Sequence, residues 1–125
     1  MLKLKITHTV TDERVTDLIT SALEGGSNYW YMIDISQSTL VNDAHYLVEQ
    51  PMRGGNLCVG LKNEEDGPVN GLTQWNLNRE SCKQGLEIMS RTYPRHFADW
   101  LNKNDDAITG DVFLQCALFG EIIFG

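Results

Sequence analysis

Cysteine is scarce in this sequence, and long hydrophobic runs are missing. The chain has three cysteines, Cys58, Cys82 and Cys116, which lie far apart with no Cys-x-x-Cys pair. An odd number at this spacing gives neither a disulfide framework nor a zinc knuckle, so we predict buried thiols in a reducing compartment. No stretch approaches the roughly 18 apolar residues of a transmembrane helix, and the first five residues do not resemble a secretory signal. We therefore expect a soluble, cytoplasmic protein.

Basic residues are also few. The chain has 10 Lys and Arg against 17 Asp and Glu, which gives a net charge of −7. This charge opposes approach to nucleic acid or to an anionic membrane, so we expect no direct binding to either. It is compatible with one local basic pocket.

Signatures of catalysis and of metal binding are missing as well. The sequence contains no GxSxG, HExxH, Rossmann or P-loop motif. The histidines are dispersed, and the acidic residues near the end do not follow a calcium-loop pattern, which predicts a solvated loop; these acids are Asp105, Asp106, Asp111 and Glu121. We predict no catalytic residue, no metal site and no cofactor.

Hydrophobic periodicity predicts one α+β domain over residues 1–125, with an antiparallel sheet packed against three or four helices. The first helix starts at the N-cap Thr11 and carries one apolar stripe of Val15, Leu18, Ile19, Ala22 and Leu23. Gly25 is placed in the left-handed conformation that ends this helix. Strands are predicted for 2–6, 28–35, 57–61 and 69–75, with a short one near 45–48 and a last one over 121–125.

Three further helices are predicted in the C-terminal half. One runs over 79–91 after the cap Asn78, and the next starts at Pro94. The last covers 111–119, opened by Thr109 or Gly110, and is apolar on nearly every side. Such a helix is buried in a core or in a subunit interface, so we expect a homodimer or a larger homo-oligomer.

A basic cluster surrounds the predicted helix start at Pro94. Arg91, Arg95 and His96 lie within six positions of one another. Two guanidinium groups and the free amides of a helix start can hold a phosphate. The alternative is that both arginines pair with surface carboxylates and that His96 caps the bend.

A glycine-aromatic segment is the second candidate site. Ser27 and Asn28 offer hydrogen bonds, and Tyr29 and Trp30 offer faces on which a base could stack. The alternative is a helix end followed by a core strand whose aromatic side chains point inward.

Three blocks of the sequence resemble a family of small phage and prophage proteins. These blocks are Glu24–Tyr31 (EGGSNYWY), Tyr93–Asp99 (YPRHFAD) and Thr109–Glu121 (TGDVFLQCALFGE), and the resemblance extends from about Thr9 to Gly125. It implies a phage-encoded protein in the cytoplasm of the host. Small acidic phage proteins often counter bacterial immunity.

Two functions are therefore expected as alternatives. The first is a non-enzymatic sponge for a nucleotide immune signal, a cyclic ADP-ribose or a cyclic oligonucleotide, because Arg91 and Arg95 are similar in kind to the paired arginines of anti-Thoeris sponges. The second is an acidic inhibitor that binds a host defence complex, as anti-CRISPR mimics do. An enzyme that acts on a nucleotide is a third and weaker hypothesis.

Overall fold

The sheet contains three antiparallel strands in the order β1-β2-β3 in this computed structural model, which describes residues 1–125. The strands are β1 Tyr31–Thr39, β2 Asn56–Leu61 and β3 Gln74–Leu77. Tyr31 lies opposite Leu61, and Leu57 lies opposite Leu77. One face packs against the helices and buries Leu57, Val59, Trp75 and Leu77. The predicted α+β domain with an antiparallel sheet is confirmed.

The fold contains four helices. They are α1 Asp12–Ser21, α2 Arg79–Thr92, α3 Pro94–Leu101 and α4 Ala107–Phe119. Helices α2 and α4 contact strand β3. Thr11 Oγ1 accepts a hydrogen bond from Arg14 N at 3.2 Å, and Asn78 Oδ1 accepts one from Ser81 N at 3.0 Å. Both predicted N-caps are confirmed, as is the start of α3 at Pro94. None of the helices is long and apolar enough to cross a membrane.

Helix α4 starts earlier than predicted. Its N-cap is Asp106, whose Oδ1 accepts from Thr109 N at 3.0 Å, so Thr109 and Gly110 lie inside the helix. Every residue from 109 to 116 is buried, which includes Asp111, predicted to lie in a solvated loop. The apolar surface of α4 is covered by α1, α2 and α3 of the same chain. Its composition therefore gives no reason to expect a subunit interface there.

The end of α1 differs from the prediction at Gly25. The helix continues as a five-residue π-helical turn, Ala22–Gly26, and Gly25 does not adopt a positive φ. Glycine is required one residue later, because a Cβ on Gly26 would lie 1.9 Å from the carbonyl oxygen of Ala107. Close packing of the turn against α4, rather than a left-handed conformation, selects glycine here.

Three predicted strands are wrong. Residues 2–6 belong to no strand, and Leu2, Leu4 and Ile6 are 90%, 78% and 75% exposed. Residues 47 and 48 of the predicted strand 45–48 lie in a short 3-10 helix, Leu47–Glu49, and a second one follows at Pro51–Arg53. Residues 121–125 form an irregular tail. In each case the sequence alternation or composition suits a strand, but no neighbouring strand edge pairs with the segment.

The predicted hairpin is confirmed, although its second strand is displaced along the chain. Residues 69–73 contribute only an isolated bridge between Val69 and Leu72. The regular pairing with β2 begins at Gln74 and ends at Leu77. The connecting turn carries a short 3-10 helix, Glu64–Asp66.

Candidate functional site

The bend between α2 and α3 places Arg91 and Arg95 at the protein surface. Arg91 lies in the last turn of α2, and Arg95 is the second residue of α3. Both residues are exposed, and neither side chain makes a hydrogen bond, an ion pair or a cation–π contact. The predicted alternative, in which both pair with surface carboxylates, is not what the structure has. We call Arg91, Arg95 and the start of α3 the arginine corner.

The other three arginines of the chain all have partners. Arg14 donates a hydrogen bond to the carbonyl oxygen of Trp100, and its guanidinium lies 5.2 Å from the Trp100 ring centroid. Arg79 pairs with Asp12 at 2.9 Å, and Arg53 lies 4.0 Å from a carboxylate oxygen of Glu49. The two guanidinium groups without a partner are therefore those of Arg91 and Arg95, which lie four positions apart in the sequence.

Helix α3 adds backbone donors to the arginine corner. Because Pro94 occupies its first position, the amides of Arg95 and His96 are first-turn donors without an intrahelical acceptor. His96 is half-buried, and its buried Nδ1 has no hydrogen-bond partner. His96 does not cap the bend through Nδ1. The corner thus has two exposed cations next to the positive end of a helix.

The second predicted site is a structural network rather than a ligand surface. Ser27 Oγ and Trp30 Nε1 each donate to Asp111 Oδ1 at 2.8 Å, and Tyr29 Oη donates to Asp111 Oδ2 at 2.6 Å. Ser27 and Trp30 are fully buried. Neither can contact a ligand, so the proposed stacking face is wrong for Trp30 and the proposed hydrogen bond is wrong for Ser27.

Asp111 is satisfied by neutral donors only. The loss of solvent and the nearby Asp111 carboxylate raise the pKa of Tyr29, because both oppose a phenolate. Three donors on one buried carboxylate tie α4 to the turn before β1. We call Asp111 with Ser27, Tyr29 and Trp30 the Asp111 network.

Asn28 and the ring of Tyr29 remain partly accessible. Asn28 is exposed, and its carbonyl oxygen accepts a hydrogen bond from Lys62 Nζ at 3.1 Å. No hydrogen bond, ion pair or aromatic contact joins the arginine corner to this segment. The sequence-predicted residues therefore form two separate groups.

The C-terminal tail bridges the space between the two groups. Tyr93, which lies between Arg91 and Arg95 in sequence, accepts a hydrogen bond from Ile122 N on its hydroxyl at 2.9 Å. Farther along the tail, Phe124 stacks on Trp30 with 5.2 Å between ring centroids. Gln115 fixes the tail, accepting from Ile123 N and Phe124 N at 2.7 and 2.8 Å. The tail thus contacts Tyr93 beside the corner, and its acidic residue, Glu121, makes no ion pair with Arg91 or Arg95.

The structure also contains a cavity of about 410 Å³, which sequence reasoning missed. It lies between α2, α3 and the segment before α1. Apolar side chains form much of its lining, among them Val15, Leu86, Phe97 and Trp100. Charged residues of α1 and α2 stand around it, namely Asp12, Arg79, Glu80, Lys83 and Glu87. The sequence feature nearest to this cavity is the alternation of apolar and basic residues over 2–6, which predicts a strand and gives no sign of a cavity.

The thiols are buried. Burial raises the pKa of Cys82 and of Cys116 to about 12, and burial followed by the nearby Asp34 raises that of Cys58. All three are therefore protonated near neutral pH, which makes them poor nucleophiles. No group of three or more His, Cys, Asp or Glu residues is arranged to hold a metal ion.

Comparisons with known proteins do not extend this description. No family model, no curated protein and no solved structure matches the chain. The function must therefore be argued from the geometry of the sites themselves.

Proposed function

We propose that this protein binds a phosphate-containing nucleotide signal at the arginine corner and sequesters it without chemical change. The observation that carries the proposal is the state of Arg91 and Arg95. They are the only arginines without an intramolecular partner, in a chain with 17 acidic residues. The phage context, which the sequence resemblance implies, makes an immune signal of the host the proposed ligand.

Unpaired guanidinium groups are suited to an anion. A guanidinium presents a planar fork of donors that matches two phosphate oxygens, and each charge-assisted hydrogen bond contributes about 1.5–3 kcal/mol. The amides of Arg95 and His96 add donors at the positive end of α3. The negative charge of the remaining surface repels anions elsewhere and directs them to this one position.

The ligand is defined by its phosphates more than by its base. Since Trp30 and Ser27 are buried in the Asp111 network, they cannot stack on or bind a base. Cyclic ADP-ribose isomers and cyclic oligonucleotides both carry two or more phosphate groups and are the proposed class. The protonated thiols favour binding over covalent chemistry.

Calorimetric titration of these compounds into four proteins tests the proposal. The proteins are the wild type, Arg91→Ala, Arg95→Ala and the matched control Arg53→Ala, whose arginine already has a carboxylate neighbour. We expect each corner substitution to weaken binding about ten- to a hundredfold, and the control to leave it unchanged. A fifth protein, Arg95→Lys, should restore only part of the affinity, because lysine lacks the planar fork.

The outcomes separate the hypotheses. Equal binding by the wild type and both corner variants would place the ligand elsewhere. No binding of any of these compounds would reject the sponge. Mass spectrometry of heat-released ligand distinguishes sequestration, which returns the compound intact, from an enzymatic reaction, which alters its mass.

A second candidate function has one structural feature in its favour. Glu64, Glu65 and Asp66 form an exposed turn at the tip of the β2–β3 hairpin. Three adjacent carboxylates on a protruding turn suit an inhibitor that occupies the nucleic-acid surface of a host defence complex. If this hypothesis is correct, replacing all three with their amides should abolish inhibition of the host defence complex and leave the nucleotide titrations unchanged. The sponge hypothesis predicts that the same replacement leaves inhibition of the defence response intact.

A further inference from the structure

One asparagine of this chain precedes a glycine, and it lies in the connection between β2 and β3. This residue is Asn70, and each of the other eight asparagines is followed by a residue with a side chain. Asn70 and Gly71 both adopt a positive φ, of 51° and 80°. Val69 and Leu72 pair on either side of them, so the two residues form a two-residue turn of type I′. We call Asn70 and Gly71 the Asn-Gly turn.

Both reacting groups of the Asn-Gly turn are free. The side chain of Asn70 makes no hydrogen bond, and the backbone nitrogen of Gly71 donates none. Both residues are exposed, and no atom beyond the chain neighbours lies within 4 Å of the position that a Cβ on Gly71 would take. The Gly71 nitrogen is therefore unhindered, and water has access to the Asn70 amide.

We propose that Asn70 is a site of spontaneous modification, in which its side chain cyclises onto the Gly71 nitrogen and reopens as isoaspartate or aspartate. Asparagine is a thermolabile residue, and a following glycine removes the steric hindrance to this reaction. In the first step the Gly71 nitrogen bonds to Asn70 Cγ and the bond from Cγ to Nδ2 breaks. Nδ2 leaves as ammonia with the proton of the Gly71 amide, and a succinimide ring remains.

Water completes the reaction. It gives its hydroxyl to one of the two ring carbonyl carbons and its proton to the Gly71 nitrogen, while the bond between that carbon and the nitrogen breaks. Opening at the former backbone carbonyl of Asn70 gives isoaspartate, and opening at Cγ gives aspartate. Nothing is oxidised or reduced, and water is the only co-reactant.

Only two hydrogen bonds hold the Asn-Gly turn closed. Val69 N donates to the Leu72 carbonyl oxygen at 2.8 Å, and Leu72 N donates to the Val69 carbonyl oxygen at 3.0 Å. This pair is an isolated bridge, and regular pairing with β2 begins only at Gln74. Cyclisation requires rotation about the Cα–C bond of Asn70, which brings the Gly71 nitrogen to Cγ. Because an isolated bridge opens more easily than a continuous ladder, this rotation does not require global unfolding.

The other asparagines show why exposure by itself does not define the site. Asn42 is also exposed with a side chain free of hydrogen bonds, but the side chain of Asp43 hinders the next backbone nitrogen. The side chains of Asn56, Asn63 and Asn78 are held by hydrogen bonds. We therefore expect Asn70 to react before any other asparagine of the folded chain.

Both products change the β2–β3 connection. Each adds one carboxylate to a chain with a net charge of −7, in the same connection as the acidic turn Glu64–Asp66. Isoaspartate also carries the main chain through the side-chain methylene, which lengthens a turn that has room for two residues only. The pairing of Val69 with Leu72 is then lost, so the connection changes in both charge and shape as the protein ages.

Incubation of the full chain at mildly alkaline pH and physiological temperature tests the proposal. We expect ion-exchange chromatography to separate a more acidic species, whose amount grows with time and grows faster at higher pH, because the deprotonated amide nitrogen is the nucleophile. In that species the tryptic peptide 63–79 should gain the mass difference between a hydroxyl and an amino group. Electron-transfer fragmentation should place this gain at residue 70 and detect isoaspartate as well as aspartate.

Two variants provide matched controls. Asn70→Gln should lose the acidic species, because glutamine would have to form a larger and less favourable ring. Asn42→Gln should form it as the wild type does. Amide hydrogen exchange at Leu72 should be faster in the isoaspartate form than in freshly prepared Asn70→Asp, which carries the same charge on an unaltered main chain.

Three results would overturn the proposal. One is a wild type that forms no acidic species during weeks of incubation. Another is a mass gain that fragmentation places at a different asparagine, a result that does not depend on how well Asn70→Gln folds. The third is aspartate without isoaspartate at residue 70, since direct hydrolysis of the side-chain amide gives aspartate alone. None of these results depends on nucleotide binding at the arginine corner.

Discussion

The Asp111 network and the arginine corner use charge in opposite ways. Asp111 is a single buried carboxylate with three hydrogen-bond donors, while Arg91 and Arg95 are two exposed cations with no acceptor. Removing a group from the first leaves buried donors unpaired, whereas removing one from the second alters only solvated surface. The Asp111 network stabilises the fold, because its carboxylate binds partners that are distant in the chain. The arginine corner has no partner within the protein, so its two guanidinium groups are free to bind a ligand.

The largest predicted effect is at Gly26, which packs the Asp111 network's turn against α4. In Gly26→Ala the new Cβ would lie 1.9 Å from the backbone oxygen of Ala107, and backbone cannot move aside cheaply. We expect a loss of about 4 kcal/mol or more in the free energy of unfolding, or no folded protein. Urea denaturation of Gly26→Ala and wild type measures this loss in the free energy of unfolding.

Gly25→Ala is the control for this prediction. Its Cβ would meet only Ala107 Cβ at 3.7 Å, an ordinary contact, and its φ is not positive. We expect a change within about 1 kcal/mol. Similar effects at both glycines would contradict the packing explanation.

The next largest effect is predicted for Asp111. Asp111→Ala leaves the buried Ser27 hydroxyl and Trp30 indole without an acceptor, and each orphaned donor costs about 1–3 kcal/mol. We expect a loss of about 3 kcal/mol in thermal or chemical denaturation. Asp111→Asn should lose less, because the amide keeps one acceptor oxygen, and the exposed Glu121→Ala should be nearly silent. Equal stability of Asp111→Ala and wild type would show that the network is dispensable.

A smaller effect is expected from alkaline pH. Burial raises the pKa of Cys82 and of Cys116 from 9.0 to about 12, so above pH 9 the unfolded chain releases thiol protons that the folded chain keeps. The free energy of unfolding should therefore fall as pH rises through this window, by about 1.4 kcal/mol per pH unit for each thiol.

Cys82→Ala and Cys116→Ala provide the check on that slope. Each should be less stable than wild type at pH 7, because it leaves a cavity, yet lose stability more slowly between pH 9 and 11. If the free energy of unfolding falls with pH as steeply in both variants as in wild type, groups other than these two thiols cause the loss of stability at alkaline pH.

The smallest effect is predicted at the arginine corner. Arg91→Ala and Arg95→Ala should change the free energy of unfolding by less than about 0.5 kcal/mol, since neither side chain has a protein partner. A loss of 2 kcal/mol or more in the free energy of unfolding is well beyond the usual range for surface residues. Such a loss would show that these arginines stabilise the fold, as the Asp111 network does. The same proteins serve in the nucleotide titrations, so a binding defect can be separated from a folding defect.

Local interactions explain the features that were predictable from the sequence. The caps Thr11 and Asn78 bond to amides three residues away, and Pro94 starts α3 through its own fixed φ. The apolar stripe of α1 and the β2–β3 hairpin likewise depend on spacing within one segment. The adjacency of Arg91 and Arg95 across the bend follows from the same local signals.

The tertiary structure alone decided the role of each polar cluster. Asp111 meets Ser27 and Trp30 across more than 80 residues of chain, and no local pattern predicts that convergence. Gly26 is needed because α4 packs against it. The segment 2–6, although its alternation predicts a strand, makes no backbone hydrogen bond with any strand of the chain. Sequence spacing fixes which residues are neighbours within a turn or a hairpin, whereas burial and pairing depend on segments that only the folded chain brings together.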